Sequence, residues 1–336
     1  MMDIALIGFG NVGQGLLRIL HDKETFLKDQ HNFSPRVVAV VTGSRGTLYH
    51  PQGLDISELL TIGNGALSAY PETTGLLRDW DASKIAKEST ADVLVEASPT
   101  NLKTAQPALD ICYAALDSGK HVVMANKGPV ALAYAELMAR AQKNEVQCRY
   151  EATVMAGTPS IRLAQEALAG CTISQIRGIM NGTTNYILTR MENGMDYEDA
   201  LKQAQQLGYA ESDPTADVDG WDVASKAIIL AACVFDQKIS LDEMSVTGIS
   251  KLTANDIDSA QRSGERWKLI AEITPDGVTV QPMRLPLSHP LANVMEATNA
   301  ITYSTDLLGD VTLIGAGAGR VETGFGLLND LLTLQT

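Results

Sequence analysis

Asp3-Ile-Ala-Leu-Ile-Gly-Phe-Gly-Asn-Val-Gly13 decides the fold. A short strand-like run, Asp3 to Ile7, enters Gly8, Gly10 and Gly13, and an amphipathic stretch from Val12 to Leu20 follows. This is Gly-x-Gly-x-x-Gly placed after a strand and before a helix. The first glycine makes a tight turn, the second lets backbone approach a pyrophosphate, and the third lets helix and strand pack closely. The helix N-terminus then favours phosphate charge. A bare structural turn in a cofactor-free α/β domain is the plainer reading, and the strand and helix on either side argue against it. Gly8, Phe9, Gly10, Asn11, Val12 and Gly13 are the candidate cofactor contacts.

Outward from that turn, strand-like and helix-like segments alternate. Val37–Thr42, Asp92–Ala97 and His121–Ala125 read as further buried strands, and Thr104–Ser118 and Ala131–Asn144 as helices. Such alternation implies βαβ units on a parallel sheet, an α/β doubly wound (Rossmann-type) domain. Residues 47–83 have weak periodicity and several turn residues, so no element is assigned there. Ligands of open α/β sheets bind at the carboxyl ends of strands. Two segments sit at such ends: Ala97-Ser-Pro-Thr-Asn101 after the third strand and Ala125-Asn-Lys-Gly-Pro129 after the fourth. Ser98 becomes a cofactor candidate. Lys127 is placed beside the reacting groups, with a plain surface lysine as the alternative. The second strand ends in Val40-Val-Thr-Gly-Ser-Arg-Gly46, without the carboxylate that usually holds a ribose 2′-hydroxyl. Arg45 is suited to a 2′-phosphate, which predicts NADP over NAD. As a solvated loop arginine it would leave both cofactors usable.

The middle of the chain changes texture. Pro159–Ala169 reads as a helix and Gln175–Met180 as a strand. Asn181-Gly-Thr-Thr-Asn then offers cap oxygens to a new helix. Tyr197–Leu207 is helical, closed by Gly208. Gly208-Tyr-Ala-Glu-Ser-Asp-Pro-Thr-Ala-Asp-Val-Asp-Gly-Trp-Asp222 crowds Glu211, Asp213, Asp217, Asp219 and Asp222 together, and Lys226 follows on an apolar helix, Val223–Phe235. Asp222 and Lys226 are four apart and share a helix face. A surface ion pair is the bland reading. The apolar helix beyond it and the carboxylates before it instead suggest a site for a small zwitterion. A calcium loop does not fit, because the Asp-x-Asp-x-Asp-Gly spacing closed by a distal Glu is missing. Partial desolvation lowers a lysine pKa from about 10.4 and lets it exchange protons. Strand-like runs at Gly277–Met283 and Ala300–Thr305 precede Leu313-Ile-Gly-Ala-Gly-Ala-Gly-Arg320 and a final helix to Leu332.

Composition excludes several classes. The 336 residues suit two domains, and 45% hydrophobic with 20% charged residues is ordinary for a globular protein. A net charge of −14 argues against nucleic acid and against an anionic membrane surface. The N-terminal apolar run is too short to span a bilayer and has no signal-peptide pattern. The four cysteines, Cys112, Cys148, Cys171 and Cys233, are scattered and read as free thiols of a cytoplasmic protein.

Taken in order, Ile7-Gly-Phe-Gly-Asn-Val-Gly13, Asn126-Lys127, Tyr150-Glu-Ala-Thr-Val-Met-Ala-Gly-Thr-Pro159, Asn181-Gly-Thr-Thr-Asn185, Gly208-Tyr-Ala-Glu-Ser-Asp-Pro214, Asp219-Gly-Trp-Asp-Val-Ala-Ser-Lys226 and Gly315-Ala-Gly-Ala-Gly319 resemble homoserine dehydrogenase over nearly the whole chain. The resemblance implies reversible, nicotinamide-dependent interconversion of L-aspartate 4-semialdehyde and L-homoserine, toward threonine, isoleucine and methionine. It implies Lys226 as general acid/base on the substrate oxygen and Lys127 between cofactor and substrate. Glu211 and Asp222, with Asp217, would hold the substrate, Glu211 through its ammonium. Gly319 would close over the nicotinamide. A monovalent cation, usually sodium, would fall on Glu151, Val154, Ala156 and Thr158, largely through backbone carbonyls. The implied architecture is a dinucleotide-binding domain of residues 1–137 plus 311–336. A mixed α/β substrate-binding and dimerisation domain, residues 138–310, would complete a homodimer. No C-terminal regulatory domain is expected, and so no feedback control through one. Two competing readings are weaker. A phosphorylating semialdehyde dehydrogenase needs an activated cysteine, and none of the four has a fitting context. A catalytically dead nicotinamide-binding regulator predicts a degraded Glu211/Asp222/Lys226 set, and all three are present. Whether Lys226, Lys127 or water moves the proton stays open on the sequence.

Overall fold

Strands β1 (Asp3–Ile7), β2 (Arg36–Val41), β3 (Thr47–Tyr49), β4 (Val93–Glu96), β5 (His121–Met124) and β6 (Cys148–Arg149) form one sheet in the order β3-β2-β1-β4-β5-β6. All neighbours are parallel except β3, which pairs antiparallel with β2. Every residue of β1 and β4 is buried, as continuous apolar runs in the centre of a helix-covered sheet require. The chain leaves β1 toward β2 and later returns to β4 on its other side. That order reverses between β1 and β4, so their carboxyl ends frame the crevice of a doubly wound sheet.

Strands β7 (Ile173–Ile179), β8 (Ser245–Val246), β9 (Glu265–Thr274), β10 (Gly277–Pro286), β11 (Thr298–Thr305) and β12 (Gly309–Ala316) form the second sheet, ordered β12-β11-β7-β9-β10-β8. It is antiparallel apart from the β8–β10 pair. The computed structural model describes residues 1–335 and divides into two compact units. One is Met1–Gly157 with Gly319–Thr336, and the other is Thr158–Ala318. The division falls later than the boundaries expected at 137 and 310. The reason is local: β6 pairs with β5, so the chain remains in the first sheet past residue 147. Likewise β12, through Ala316, pairs with β11 in the second sheet. Residue 336 lies outside the described residues.

Most expected elements are present with shifted ends. The first helix is Asn11–Asp22, and the apolar helix is Trp221–Phe235. The helix expected from Thr104 starts at Ala108, after Pro107, and the one expected from Ala131 starts at Lys127, capped by Asn126. Residues 47–83 hold β3, a helix Ile56–Ile62 capped by Asp55, and a short 3-10 turn, none of which periodicity revealed. The stretch read as a helix from Pro159 to Ala169 is one α-turn, Ser160–Arg162, followed by a π-helix, Leu163–Ala167. Among the described residues no helix is long and apolar enough to cross a membrane.

Candidate active site

In the first unit the glycine turn is built for a dinucleotide. Gly8 has φ +99, and a Cβ there would strike Ala97 and lie 2.6 Å from Ser98 N, at the end of β4. A Cβ on Gly13 would strike the carbonyl of Gly8 and come within 3.2 Å of Leu6. A Cβ on Gly10 would meet nothing within 4 Å. The middle glycine therefore faces open space at the N-terminus of helix Asn11–Asp22, where a pyrophosphate approaches in this motif. The residues present fit the group. Phe9 is buried, whereas Asn11 is exposed.

Arg45 reaches back to this turn from the end of β2. Its guanidinium donates to Phe9 O and, at 2.9 Å, to Gly63 O, and it lies 5.5 Å from the Phe9 ring centroid. Ser98 donates from its backbone N–H, at 2.8 Å, and from its hydroxyl to Glu96 Oε1. Asn126 Nδ2 donates to Ser98 Oγ at 3.2 Å and to Glu96 Oε1 at 3.3 Å, while its Oδ1 accepts from Gly128 N–H at 3.0 Å. One buried chain thus ties the loop after β4 to the helix that begins at Lys127. Glu96 is fully buried, and burial pushes its carboxyl up, against the pull of Ser98 and Asn126. Sequence reading did not single out Glu96 or Asn126 as site residues. The signals were a lone glutamate closing an apolar strand and the place of Asn126 in the segment Ala125–Pro129. Gly319, at φ +138, is the N-cap of the final helix, Arg320–Thr333.

In the second unit the acidic stretch is ordered by helix Trp221–Phe235 and by Asn181. Lys226 is buried, with Nζ donating to Met180 O at 2.6 Å and to Asp222 Oδ2 at 2.7 Å. Asn181 Nδ2 donates to Asp217 Oδ1 at 2.7 Å and to the same Asp222 Oδ2 at 3.0 Å. Thr183 Oγ1 donates to Tyr209 O at 2.6 Å, fastening the acidic loop to the helix that starts at Gly182. Burial raises the Asp217 carboxyl, the nearby Asp222 raises it further, and Asn181, Lys226 and Thr183 oppose this. Glu211 stands apart: it is exposed, and its carbonyl accepts from Gln205 at 3.1 Å. The structure therefore brings Asp217, Asp222 and Lys226 into one hydrogen-bonded cluster and leaves the Glu211 carboxylate in solvent.

The chain matches known proteins along nearly its whole length. Residues 159–332 match the family model described as homoserine dehydrogenase, and residues 8–151 match that of the homoserine dehydrogenase NAD-binding domain. A relative from Pseudomonas canavaninivorans, named NAD(+)-dependent homoserine dehydrogenase, is 44% identical, over 99% of this chain and 96% of its own. The homoserine dehydrogenase of Methanocaldococcus jannaschii is 42% identical over 98% of both chains. The chain belongs to the homoserine dehydrogenase family. A crystal structure described as a putative homoserine dehydrogenase from Archaeoglobus fulgidus superposes with a TM-score of 0.89, at 36% identity and 99% coverage of both chains. A hyperthermophilic archaeal homoserine dehydrogenase in complex with NADPH gives 0.83 at 29% identity, covering 99% of this chain and 97% of its own. The chain is thus a homoserine dehydrogenase, an NAD(P)-dependent oxidoreductase acting on a CH–OH group.

The four residues with which the homoserine dehydrogenase resemblance marks a cation divide between the units. Glu151, Val154 and Ala156 lie in a buried loop of the first, and Thr158 opens the second. That loop turns through Met155 and Ala156, both at φ 53. Thr158 Oγ1 donates to Ala316 O at 2.8 Å. Among the described residues no group of three His, Cys, Asp or Glu side chains is placed to hold a metal.

Proposed function

We propose that this enzyme interconverts L-homoserine and L-aspartate 4-semialdehyde with Lys226 as general acid/base, in threonine, methionine and isoleucine biosynthesis in the cytoplasm. When bound, the nicotinamide exchanges the hydride with the carbinol carbon. The supporting observation is the setting of Nζ. Met180 O and Asp222 Oδ2 accept two of its N–H bonds. Neutral lysine has two N–H bonds, so with these satisfied its lone pair is left to take the hydroxyl proton. Protonated lysine offers a third N–H to the semialdehyde oxygen in the reverse direction. Both directions keep the same two anchors. Asp222 and Asp217 supply negative charge for a zwitterion, and Glu211, on its exposed loop, adds a carboxylate for the ammonium. Lys127, the first residue of its helix, is assigned to the junction of cofactor and substrate, and Gly319 to the nicotinamide side.

The deciding assay is initial-rate formation of NADPH from L-homoserine, in wild type and Lys226→Ala. We expect kcat to fall roughly 10²- to 10⁴-fold with cofactor binding retained, the range for loss of an acid–base group. Turnover surviving in the variant moves the proton to Lys127 or water. A sodium ion on the carbonyls of Glu151, Val154, Ala156 and Thr158 suits hard oxygen donors. Replacing sodium with tetramethylammonium in the same assay should lower the rate, and an unchanged rate removes the cation from the proposal. We also assign NADP as the preferred cofactor, with NAD as the second, and a homodimer as the working form.

A further inference from the structure

We infer that Asn181 is a positioning residue of the substrate cluster, its amide clamping Asp217 and Asp222 together beside Lys226. The inference rests on the reading of Lys226 and its carboxylates as the reacting cluster. Its basis is the full use of one side chain. Asn181 is 5% exposed, and Oδ1 accepts from Thr184 N–H at 2.9 Å and from Thr184 Oγ1 at 3.1 Å. Only the carbonyl end can accept from a backbone N–H, so the other end is the NH2 group. Its two N–H bonds go to different carboxylates, Asp217 Oδ1 at 2.7 Å and Asp222 Oδ2 at 3.0 Å.

Two carboxylates on one NH2 group are close enough to repel, and a buried one then tends to hold its proton. The groups facing Asp217 are Asn181 and Thr183 from the start of one helix and Asp222 and Lys226 from another. Burial and Asp222 favour the protonated form, whereas Asn181, Lys226 and Thr183 favour the carboxylate. The clamp therefore does two things. It fixes the spacing of the carboxylates, and it keeps Asp217 charged at lower pH than the site otherwise allows. Asp222 Oδ2 is shared between Asn181 and Lys226, so the clamp also sets where Nζ points.

The capping role must be separated from the clamp. Serine is also a good N-cap, with an oxygen for Thr184 N–H but no donor that spans both carboxylates. Asn181→Ser therefore keeps the cap and deletes the clamp. Asn181→Asp keeps the cap and adds a third carboxylate. The full chain of each would be measured for thermal stability, NADPH binding by fluorescence, and kcat/KM for L-homoserine from acid to neutral pH. We expect Asn181→Ser to bind NADPH as wild type does and to lose roughly 10- to 100-fold in kcat/KM, the size of lost hydrogen bonds to charged groups. Its acid limb should move to higher pH, because Asp217 protonates sooner, and Asn181→Asp should move it further. Activity within about twofold of wild type overturns the inference, as does a loss of kcat/KM with the acid limb unmoved, which marks a purely structural residue.

If Asn181→Ser is unstable, a double-mutant cycle with Asp217→Asn decides. Removing one carboxylate relieves the need for the clamp, so the two changes should couple, whereas additive losses overturn the inference. The underlying reading fails separately. An active Lys226→Ala enzyme removes the cluster and this inference together. An inert Lys226→Ala with a wild-type-like Asn181→Ser removes this inference alone.

Discussion

We propose that Arg45 carries the choice of cofactor on one side chain. Backbone carbonyls of Phe9 and Gly63 accept its N–H bonds, but carbonyls do not cancel its charge. Anchoring holds that charge next to the glycine turn, where a 2′-phosphate would find a preorganised cation rather than a mobile one. We therefore expect Arg45→Ala to lower the ratio of NADP to NAD efficiency by about tenfold, the size of one charge-assisted contact. An unchanged ratio would remove Arg45 from cofactor choice. The loop's lack of a carboxylate was visible in the sequence, and so was the Asp222–Lys226 pair, because helical spacing fixes which side chains meet. Asn181 was visible only as a cap, since its second role depends on Asp217 and Asp222, 36 and 41 residues away. Glu96 showed only as a lone glutamate closing an apolar strand: Ser98 is two residues on, but Asn126 reaches it only when β4 and β5 pair. Glu211 shows the reverse case. Its place in the motif is plain in sequence, yet its carboxylate is in solvent, outside the cluster.

Between elements, a close approach lies in the first unit, where helix Asn11–Asp22 packs on helix Arg320–Thr333. A Cβ on Gly15 would strike Arg320 O, and a Cβ on Gly324 would sit 2.6 Å from both Gly15 C and Leu16 N. Those are backbone atoms, which cannot rotate aside. Alanine favours a helix over glycine by about 1 kcal/mol. Forced overpacking costs about 1–3 kcal/mol and at such distances wins. Gly324→Ala should therefore destabilise the chain by ~1–2 kcal/mol net. A urea midpoint equal to or above that of wild type would show that the helices can separate at no cost. The glycines were in plain sight, but only the pairing of residues 11–22 with 320–333 gives them meaning. Elements themselves were read well where one period was sustained, as in Trp221–Phe235. They were missed between 47 and 83, where β3 and the Ile56–Ile62 helix are too short to show a period. The π-turn at Leu163–Ala167 was read as plain helix, because sequence periodicity does not register one extra residue in a turn.

At the scale of the whole molecule, β12 is an edge strand of the second sheet, and the hairpin it forms with β11 is apolar where it should be polar. Leu307 is 70% exposed, Leu308 63% and Ile314 55%. An edge with open backbone groups and exposed large side chains is normally blunted by charge or covered by another chain. Next to Ile314 on the same face runs a row of directly paired residues, Thr312, Thr302, Arg177, Glu272 and Thr279. Within that row Thr302 and Thr312 hydrogen-bond at 2.8 Å, and Arg177 and Glu272 pair at 2.8 Å. Polar groups already paired inside the sheet cost less to desolvate than unpaired ones would, and a second copy of the chain is the cover we propose. The protein should sediment at twice 35.9 kDa at micromolar concentration. Ile314→Lys, which places a charge on this exposed edge, should weaken the dimer by roughly tenfold or more, as loss of an apolar anchor does. Because Ile314 is more than half exposed in one chain, the variant's monomer should keep its unfolding free energy to within about 0.5 kcal/mol, as a surface change usually does. Sedimentation of wild type as a monomer would refute the covered edge. A dimer untouched by Ile314→Lys would move the contact to another face.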